Sequence, residues 1–339
     1  MATVNEKMTA IADNIRSKTG KTEPLTLDGM ASGVNEVYES GKENTLAPIR
    51  ESLINKGEEL SETADVEEIT GCIDGLSLIS ELTDFKSFFY LNARLYLLPN
   101  FKYETTSKGT DFSSMFSNCS SITTIPQIDT SKGTDFHEMF SYCRNITTIP
   151  LIDTSNGTNF SSMFSWCTSL TTIPKIDTRN GIYFRNTFYY CNSLTTIPKI
   201  DTSNGTFFTY MFYNCTRLTT IPKIDTSNGT YFDYMFYKCT SLTTIPELNA
   251  SKNTSFDNTF NNCTKLQNIT FVGTINANGL NLSYSTKLTH DSLMSLINAL
   301  ADKSGDTSTT WKVTIGSTNK AKLTAEELEI ATMKGWSIV

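Results

Sequence analysis

The chain has 339 residues, of which 19% are charged and 38% hydrophobic, with a net charge of −7 and a pI near 5.0. That balance describes a folded protein and not a disordered one. No run of basic residues exceeds two, so the clustered Lys and Arg that phosphate binding needs are missing, and neither nucleic acid nor an anionic membrane surface is an expected partner.

No 18-residue apolar stretch occurs, so membrane insertion is not expected. The opening MATVNEKMTAIADNIRSK lacks the apolar core of a secretory signal. The expectation is a protein made in a cytoplasm without a signal peptide, which reaches the outside by lysis or within an assembled particle. Residues 1–80 read as two helix–loop–helix units. In the first, Ile11, Ile15 and Lys18-Thr-Gly20 lead to Leu27, Met30, Val34 and Val37; in the second, Leu53 and Lys56-Gly57 lead to Val66, Ile69, Ile73 and Leu76. Both second halves keep an i, i+3, i+7, i+10 apolar spacing. Cys72 stands where Gly33 stands in the first unit, as a small core residue.

From about residue 81 to 273 the chain repeats. Cys119, Cys143, Cys167, Cys191, Cys215, Cys239 and Cys263 are spaced by 24 residues, and a fixed period of this size marks a solenoid. Residues 153–176, DTSNGTNFSSMFSWCTSLTTIPKI, serve as the type unit. Asp-Thr-Ser-Asn-Gly is turn sequence, with Asn156-Gly157 expected to supply a positive φ. Thr158 is placed to cap a short helix. Phe160, Met163, Phe164 and Cys167 lie at i, i+3, i+4 and i+7, the apolar face of about two helical turns. Leu170 to Ile173 reads as a short strand, ended by Pro174, which removes one ladder donor in each repeat. Sequons such as Asn156-Gly-Thr and Asn204-Gly-Thr are read as turns and not as glycosylation sites. Upstream, Phe85, Phe88, Phe89, Leu95, Leu98, Pro99 and Phe101 form a degenerate copy that reads as an N-terminal capping repeat.

The last 66 residues break the period and read as a C-terminal cap over 274–339. Residues 280–284 are a candidate strand, 291–300 an amphipathic helix, and 311–315 an alternating strand. Thr324 and Glu327 form a capping box before a further helix, and 336–339 closes as a strand.

Catalysis finds little footing, and no enzyme is expected. His137 takes a variable surface position, and His290 precedes the helix it is expected to cap. Asp129, Asp153, Asp177, Asp201 and Asp225 recur in register before Thr-Ser or Thr-Arg, the pattern of Asx turns. The cysteine column lacks the clustered spacing of a zinc site and reads as buried free thiols serving as small hydrophobes. No metal or cofactor is implied.

The candidate binding residues are aromatic. One column runs Asp111, Asp135, Asn159 and then Tyr183, Phe207 and Tyr231. A second runs Ser117, Ser141, Ser165 and then Tyr189, Tyr213 and Tyr237. A third adds Tyr210 and Tyr234, and a fourth Tyr142, Trp166 and Tyr190. These fall off the Phe/Met/Phe/Cys face, so many should face solvent. Tyrosine offers rigid amphipathic area at low entropic cost, as in paratopes, and aromatics also stack on sugars. The other reading is that such ladders only pack between adjacent repeats. The Thr171-Thr172 ladder, flanked by Lys175, Lys199 and Lys223, is a second exposed strip.

The residues Asp153-Thr-Ser-Asn156, Met163-Phe164, Cys167 and Leu170 to Ile173, repeated over about 85–273, resemble the BspA-like leucine-rich repeats. The resemblance implies an α/β repeat solenoid, right-handed, of short helix plus short strand, used for adhesion and recognition. The opening IADNIRSKTGKTEPLTLDGMASGV resembles the N-terminal segments of tail-associated proteins from phages and prophages of Gram-positive bacteria, and the C-terminal region resembles the tails of phage-encoded BspA-like proteins. Together these imply a receptor-binding protein of a phage tail or baseplate, located in the virion. Residues 1–80 would hold other phage tail proteins, and the solenoid would meet a host cell-surface receptor, polysaccharide or protein. A structural or decoration protein of the virion and a bacterial surface adhesin are the alternatives. Sustained heptads are absent, which leaves homo-oligomerisation open.

Overall fold

The structure is a computed structural model that describes residues 83–89, 106–125 and 127–339. The two helix–loop–helix units read at 1–80, Cys72 among them, lie outside the described residues, as does most of the capping copy beyond Phe89.

The described chain forms a stack of 24-residue coils followed by a C-terminal α/β segment. The regular elements are strands β1 (Thr244–Asn249) and β2 (Asn268–Val272), helix α1 (His290–Ala299), strand β3 (Trp311–Val313), helices α2 (Ser317–Lys320) and α3 (Ala325–Met333), and strand β4 (Trp336–Ile338). β1 pairs with β2, and β3 with β4, both in parallel.

The segment expected to be helical in each repeat is instead a run of tandem turns. A helix would satisfy its amides internally, four residues back. Here the amides alternate. Those of Met115, Ser117 and Cys119 reach three residues back, to Phe112, Ser114 and Phe116, while those of Phe112, Ser114, Phe116 and Asn118 bond forward to carbonyls of the next coil, at Asp135, His137, Met139 and Ser141. Every second donor therefore points along the stacking axis. The geometry requires a left-handed residue every fourth position, and Ser114 and Asn118 sit at φ 56° and 63°. Each N–H finds a partner, as buried backbone must, but half of the partners belong to the neighbouring repeat.

The expected strand is also reduced. Each coil adds a single parallel bridge at its first edge, running Asp84, Asp111, Asp135, Asn159, Tyr183, Phe207, Tyr231 and Ser255. At the Leu-Thr-Thr-Ile-Pro edge one bond recurs, for example Thr219 N–H to Thr195 O at 3.1 Å and Thr243 N–H to Thr219 O at 3.0 Å. Proline stops the ladder there. It extends into true strands where β1 pairs with β2: Ile269-Thr270 in β2 replaces Ile-Pro and returns the missing donor, while the register shifts between Ile245 and Leu248, beside Pro246 of β1.

The core consists of columns. Phe85, Phe112, Phe136, Phe160, Phe184 and Phe208 stack at 5.5–5.9 Å with rings within 12° of parallel. A second ladder runs from Phe89 through Phe116, Phe140, Phe164, Phe188, Phe212 and Phe236 to Phe260. All are buried, with the Met, Cys, Leu and Ile columns beside them. A phenylalanine withdrawn from water contributes about 1.5–3 kcal/mol, and no single coil could enclose these rings alone.

The cysteines prove to be more than small hydrophobes. Each Sγ donates to a phenylalanine carbonyl of the preceding coil, Cys143 to Phe116 O, Cys167 to Phe140 O and Cys191 to Phe164 O, all at 3.0 Å. Thr259, which replaces Met, makes a bond of the same reach to Phe232 O, and Thr187 in another coil shares its hydroxyl between Phe160 O at 3.1 Å and Phe184 O at 2.8 Å.

The glycine of the Asn-Gly turn is not at a positive φ; the positive-φ glycines are Gly273, Gly279, Gly316 and Gly335. Its role is space. A Cβ on Gly157 would lie 2.6 Å from Phe160 Cζ and 2.9 Å from Phe136 Cδ2. Nor does Thr158 cap a helix, since its amide and hydroxyl both donate to Thr134 O.

Asn253 stands where the other coils have this glycine. There the stacking breaks, with Phe232 turned 63° from Phe208 and Phe256 turned 65° from Phe232. The Asn253 side-chain nitrogen is buried without a hydrogen-bond partner. Replacing Asn253 by glycine should therefore stabilise the protein by about 1 kcal/mol: relief of an unpaired donor, about 1–3 kcal/mol, exceeds the about 0.5–1 kcal/mol entropy cost of glycine. Urea denaturation reads this as a higher midpoint, and a lower one would contradict the steric account.

In the C-terminal segment α1 lies along the free edge of β2. Ser292 and Ser295 on α1 accept the amides of Ile269 and Phe271, so hydroxyls take the place of a further strand. The cap of α1 is Thr289, which accepts from the Ser292 amide, and not His290; the His290 ring is instead 2.8 Å from Glu327 Oε1. Thr324 and Glu327 form the expected capping box on α3. Residues 280–284 make one bridge, Asn281 to Thr314, and no strand.

Candidate binding surface

The carboxylates are structural. Asp129, Asp153, Asp177, Asp201 and Asp225 each accept, through Oδ1, the amide two residues on. Arg179 beside Asp177 holds that carboxyl below its usual range, and the Ser203 amide and hydroxyl do the same for Asp201. His137 is half-buried and pairs with Glu138 at 3.5 Å. Among the described residues no three His, Cys, Asp or Glu side chains gather as a metal site. A shallow cavity of about 530 Å³ between β3, α3 and β4 has Lys320 as its one ionisable lining group.

The aromatic columns expected from the sequence separate into two surfaces. Tyr183, Phe207 and Tyr231 stack at 5.3 and 5.7 Å along the first bridged edge, where Tyr183 and Tyr231 are 43% exposed. The other eight rings merge into one patch. Tyr142, Trp166 and Tyr190 stack at 5.6 and 4.0 Å, Tyr189, Tyr213 and Tyr237 at 4.8 and 4.7 Å, and Tyr210 and Tyr234 at 4.8 Å. Tilted and edge contacts join these columns, Tyr189 to Tyr190 at 4.8 Å and Tyr210 to Tyr213 at 5.6 Å among them. All eight are half-buried, less open than the sequence pattern implied.

Local structure explains how the rings come out of the coil. The second column continues Ser117, Ser141 and Ser165, which are buried, so tyrosine at the same place must extend outward. The third and fourth columns occupy the left-handed positions of the tandem turns, with Tyr142, Trp166, Tyr190, Tyr210 and Tyr234 at φ 56–60°. Other coils fill these positions with Asn118, Asn186, Asn214, Asn258, Asn262, Ser114 and Ser162, and in two cases with Glu138 and Lys238. The left-handed region costs a non-glycine residue about 1–2 kcal/mol, and asparagine visits it most readily. Bulky aromatics there are costly for the backbone, and such outliers cluster at functional sites. This placement was not legible beforehand, although the recurring asparagines in these columns were its one available sign.

Burial, and then the neighbouring tyrosines, push the Tyr213 phenol up to about 12 and raise Tyr189 and Tyr210. The patch therefore presents protonated hydroxyls at neutral pH. Arg144 lies 5.6 and 5.4 Å from the Tyr142 and Trp166 ring centres, and Lys238 lies 5.4 Å from that of Tyr237.

Comparison with known proteins agrees with this architecture. A family model described as BspA type leucine-rich repeat region matches residues 181–306 in six copies, and one described as a Mycoplasma protein of unknown function, DUF285, matches 83–195 and 110–220. Both domains are present in the chain. A solved structure entitled "Crystal structure of TLR13-ssRNA13 complex" is 15% identical, with a TM-score of 0.31; the match covers 71% of this chain and 34% of that one, so this chain spans about a third of its length. No curated protein matches. The fold is thus a repeat solenoid carrying BspA-type leucine-rich repeats, which suggest a protein of surface or adhesion type.

Proposed function

We propose that the chain is a receptor-binding protein of a phage tail or baseplate, and that the eight-ring patch is the surface it turns to the host envelope. The observation that carries the binding role is the placement of five of those rings at left-handed backbone positions, on a half-open surface, where asparagine or serine serves most other coils and Glu138 and Lys238 the rest. The phage context rests on the resemblance of the opening segment, and residues 1–80 are the proposed attachment to other tail proteins. Many copies on one particle would multiply weak individual contacts into firm adhesion. The role is binding without catalysis, since the recurring carboxylates are each engaged in their own turns.

The test is adhesion of the purified full chain to Gram-positive host cells, beside a variant carrying Tyr189→Ser, Tyr213→Ser and Tyr237→Ser. Loss of adhesion by about tenfold or more, with an unchanged circular dichroism spectrum, is the expected result. Adhesion unaffected by the three changes would remove the patch from the receptor role. If neither protein adheres and the chain binds phage components alone, a structural part of the virion becomes the reading.

A further inference from the structure

The patch has a feature that restricts its partner: its central rings have no free face. Trp166 lies between Tyr142, 5.6 Å away and within 13° of parallel, and Tyr190, 4.0 Å away and within 8°. Tyr213 lies between Tyr189 and Tyr237, at 4.8 and 4.7 Å and within 23° and 10°. Both are half-buried, so what they show to solvent is ring edge and polar rim. A sugar stacks its C–H groups on an open aromatic face, and these rings offer none.

A ring edge is the positive end of the aromatic quadrupole. Phenol hydroxyls donate from the same rim. Arg144 stands by the first column and Lys238 by the last ring of the second. Two carboxylates lie nearby and keep their charge: Glu138 is 3.5 Å from His137 and accepts the Ser114 hydroxyl at 3.4 Å, and Asp233 accepts the Asp257 amide at 3.1 Å. Arg144 and Lys238 offset those two charges, so the hydroxyls and ring edges set a preference for electron-rich acceptors, and stacking has already immobilised the rings, which lowers the entropic cost of binding.

We infer that the patch recognises a polypeptide whose contact surface is rich in carboxylate and carbonyl acceptors. This deepens the binding role proposed above and rests on it. A polypeptide suits the patch better than an acidic polysaccharide because apolar ring edges alternate with hydroxyls, and tyrosine, tryptophan and arginine are the residues that anchor protein interfaces. From Tyr142 to Tyr237 the patch crosses four repeat steps, roughly 19 Å at ~4.8 Å each, the span of about six residues of extended chain.

A displayed library of random twelve-residue peptides, selected on the immobilised full chain, provides the probe. Fluorescence anisotropy then compares the recovered peptides on the parent, on Tyr213→Ser and on Arg144→Glu. Arg144 is exposed, so its replacement leaves the core untouched. A chito-oligosaccharide and polygalacturonate serve as neutral and acidic sugar probes on the same proteins. The expected result is acidic peptides that weaken about tenfold or more on both variants and lose affinity as salt rises. Recovery of no peptide, peptides indifferent to both changes, or patch-dependent binding of either sugar would each overturn the inference. Failure of the cell-adhesion test with peptide binding intact would strike the host-receptor role and leave the partner class standing.

Discussion

Gly157→Ala should destabilise the protein by about 3 kcal/mol, the upper end of the overpacking range. The new methyl would meet Phe160 Cζ at 2.6 Å and Phe136 Cδ2 and Cε2 at 2.9 Å. Neither ring has room to yield. Phe160 is held between Phe136 at 5.9 Å and Phe184 at 5.7 Å, and all three are buried. Asn253 shows the alternative the chain adopts when that glycine is lost, with rings turned by more than 60° and a stranded amide. Gly305→Ala is the control, because nothing lies within 4 Å of its added carbon, and its effect should stay within about 0.5 kcal/mol. Urea melts of the two variants decide the matter. Equal stabilities would show that the turn, and not the space beneath the rings, explains the glycine column.

The second large effect concerns the thiols. Cys191→Ala should cost about 0.5–1.5 kcal/mol for the lost bond alone, since the buried Phe164 carbonyl loses the thiol and keeps only the Cys167 amide. Cys191→Ser should cost less than alanine, because a hydroxyl can take up the same bond, as Thr259 does to Phe232 O at 2.9 Å. A cysteine serving only as a hydrophobe predicts the reverse order. Burial raises the thiols of Cys143, Cys167, Cys191, Cys215 and Cys239, and pushes Cys263 up to about 12. An acid that holds its proton more tightly when folded lends stability that is complete below the unfolded value, about pH 8.5 for a thiol, and is lost as pH climbs toward the folded one. The urea midpoint should therefore fall steeply on the alkaline side of that point, and less steeply in Cys191→Ser.

Much of the architecture was legible in the sequence because strict periodicity carries it. A 24-residue period with Phe, Phe, Cys, Leu and Ile in fixed columns leaves stacking as the one way to bury them. The turn carboxylates and the capping box of α3 were legible for the same reason, each being a local pattern with a local partner. The repeat helix was not. Phe160, Met163, Phe164 and Cys167 sit at helical spacing, but tandem four-residue turns place side chains inward at the same intervals. Only the amide bonds passing to the next coil tell the two apart, and no single repeat contains them. The glycine was misread for a related reason, since the ring that needs its space belongs partly to the previous coil. The aromatic columns were found as columns, whereas the merging of eight rings into one patch depends on how adjacent turns lean, which the spacing does not encode.

The most direct test of the receptor surface uses the backbone itself. Tyr190→Asn, Tyr210→Asn and Tyr234→Asn place at three left-handed positions the residue that other coils carry there. Easing the backbone, about 1–2 kcal/mol per residue, should offset part of the lost ring contacts, about 0.5–1.5 kcal/mol each, of which each ring makes three. The account predicts that each single variant stays folded, with a melting point lowered only modestly, while adhesion of the triple variant to host cells, measured well below its melting point, falls by about tenfold or more. A triple variant that adheres fully but unfolds more easily would contradict it, and would make the aromatic ladder a matter of packing alone.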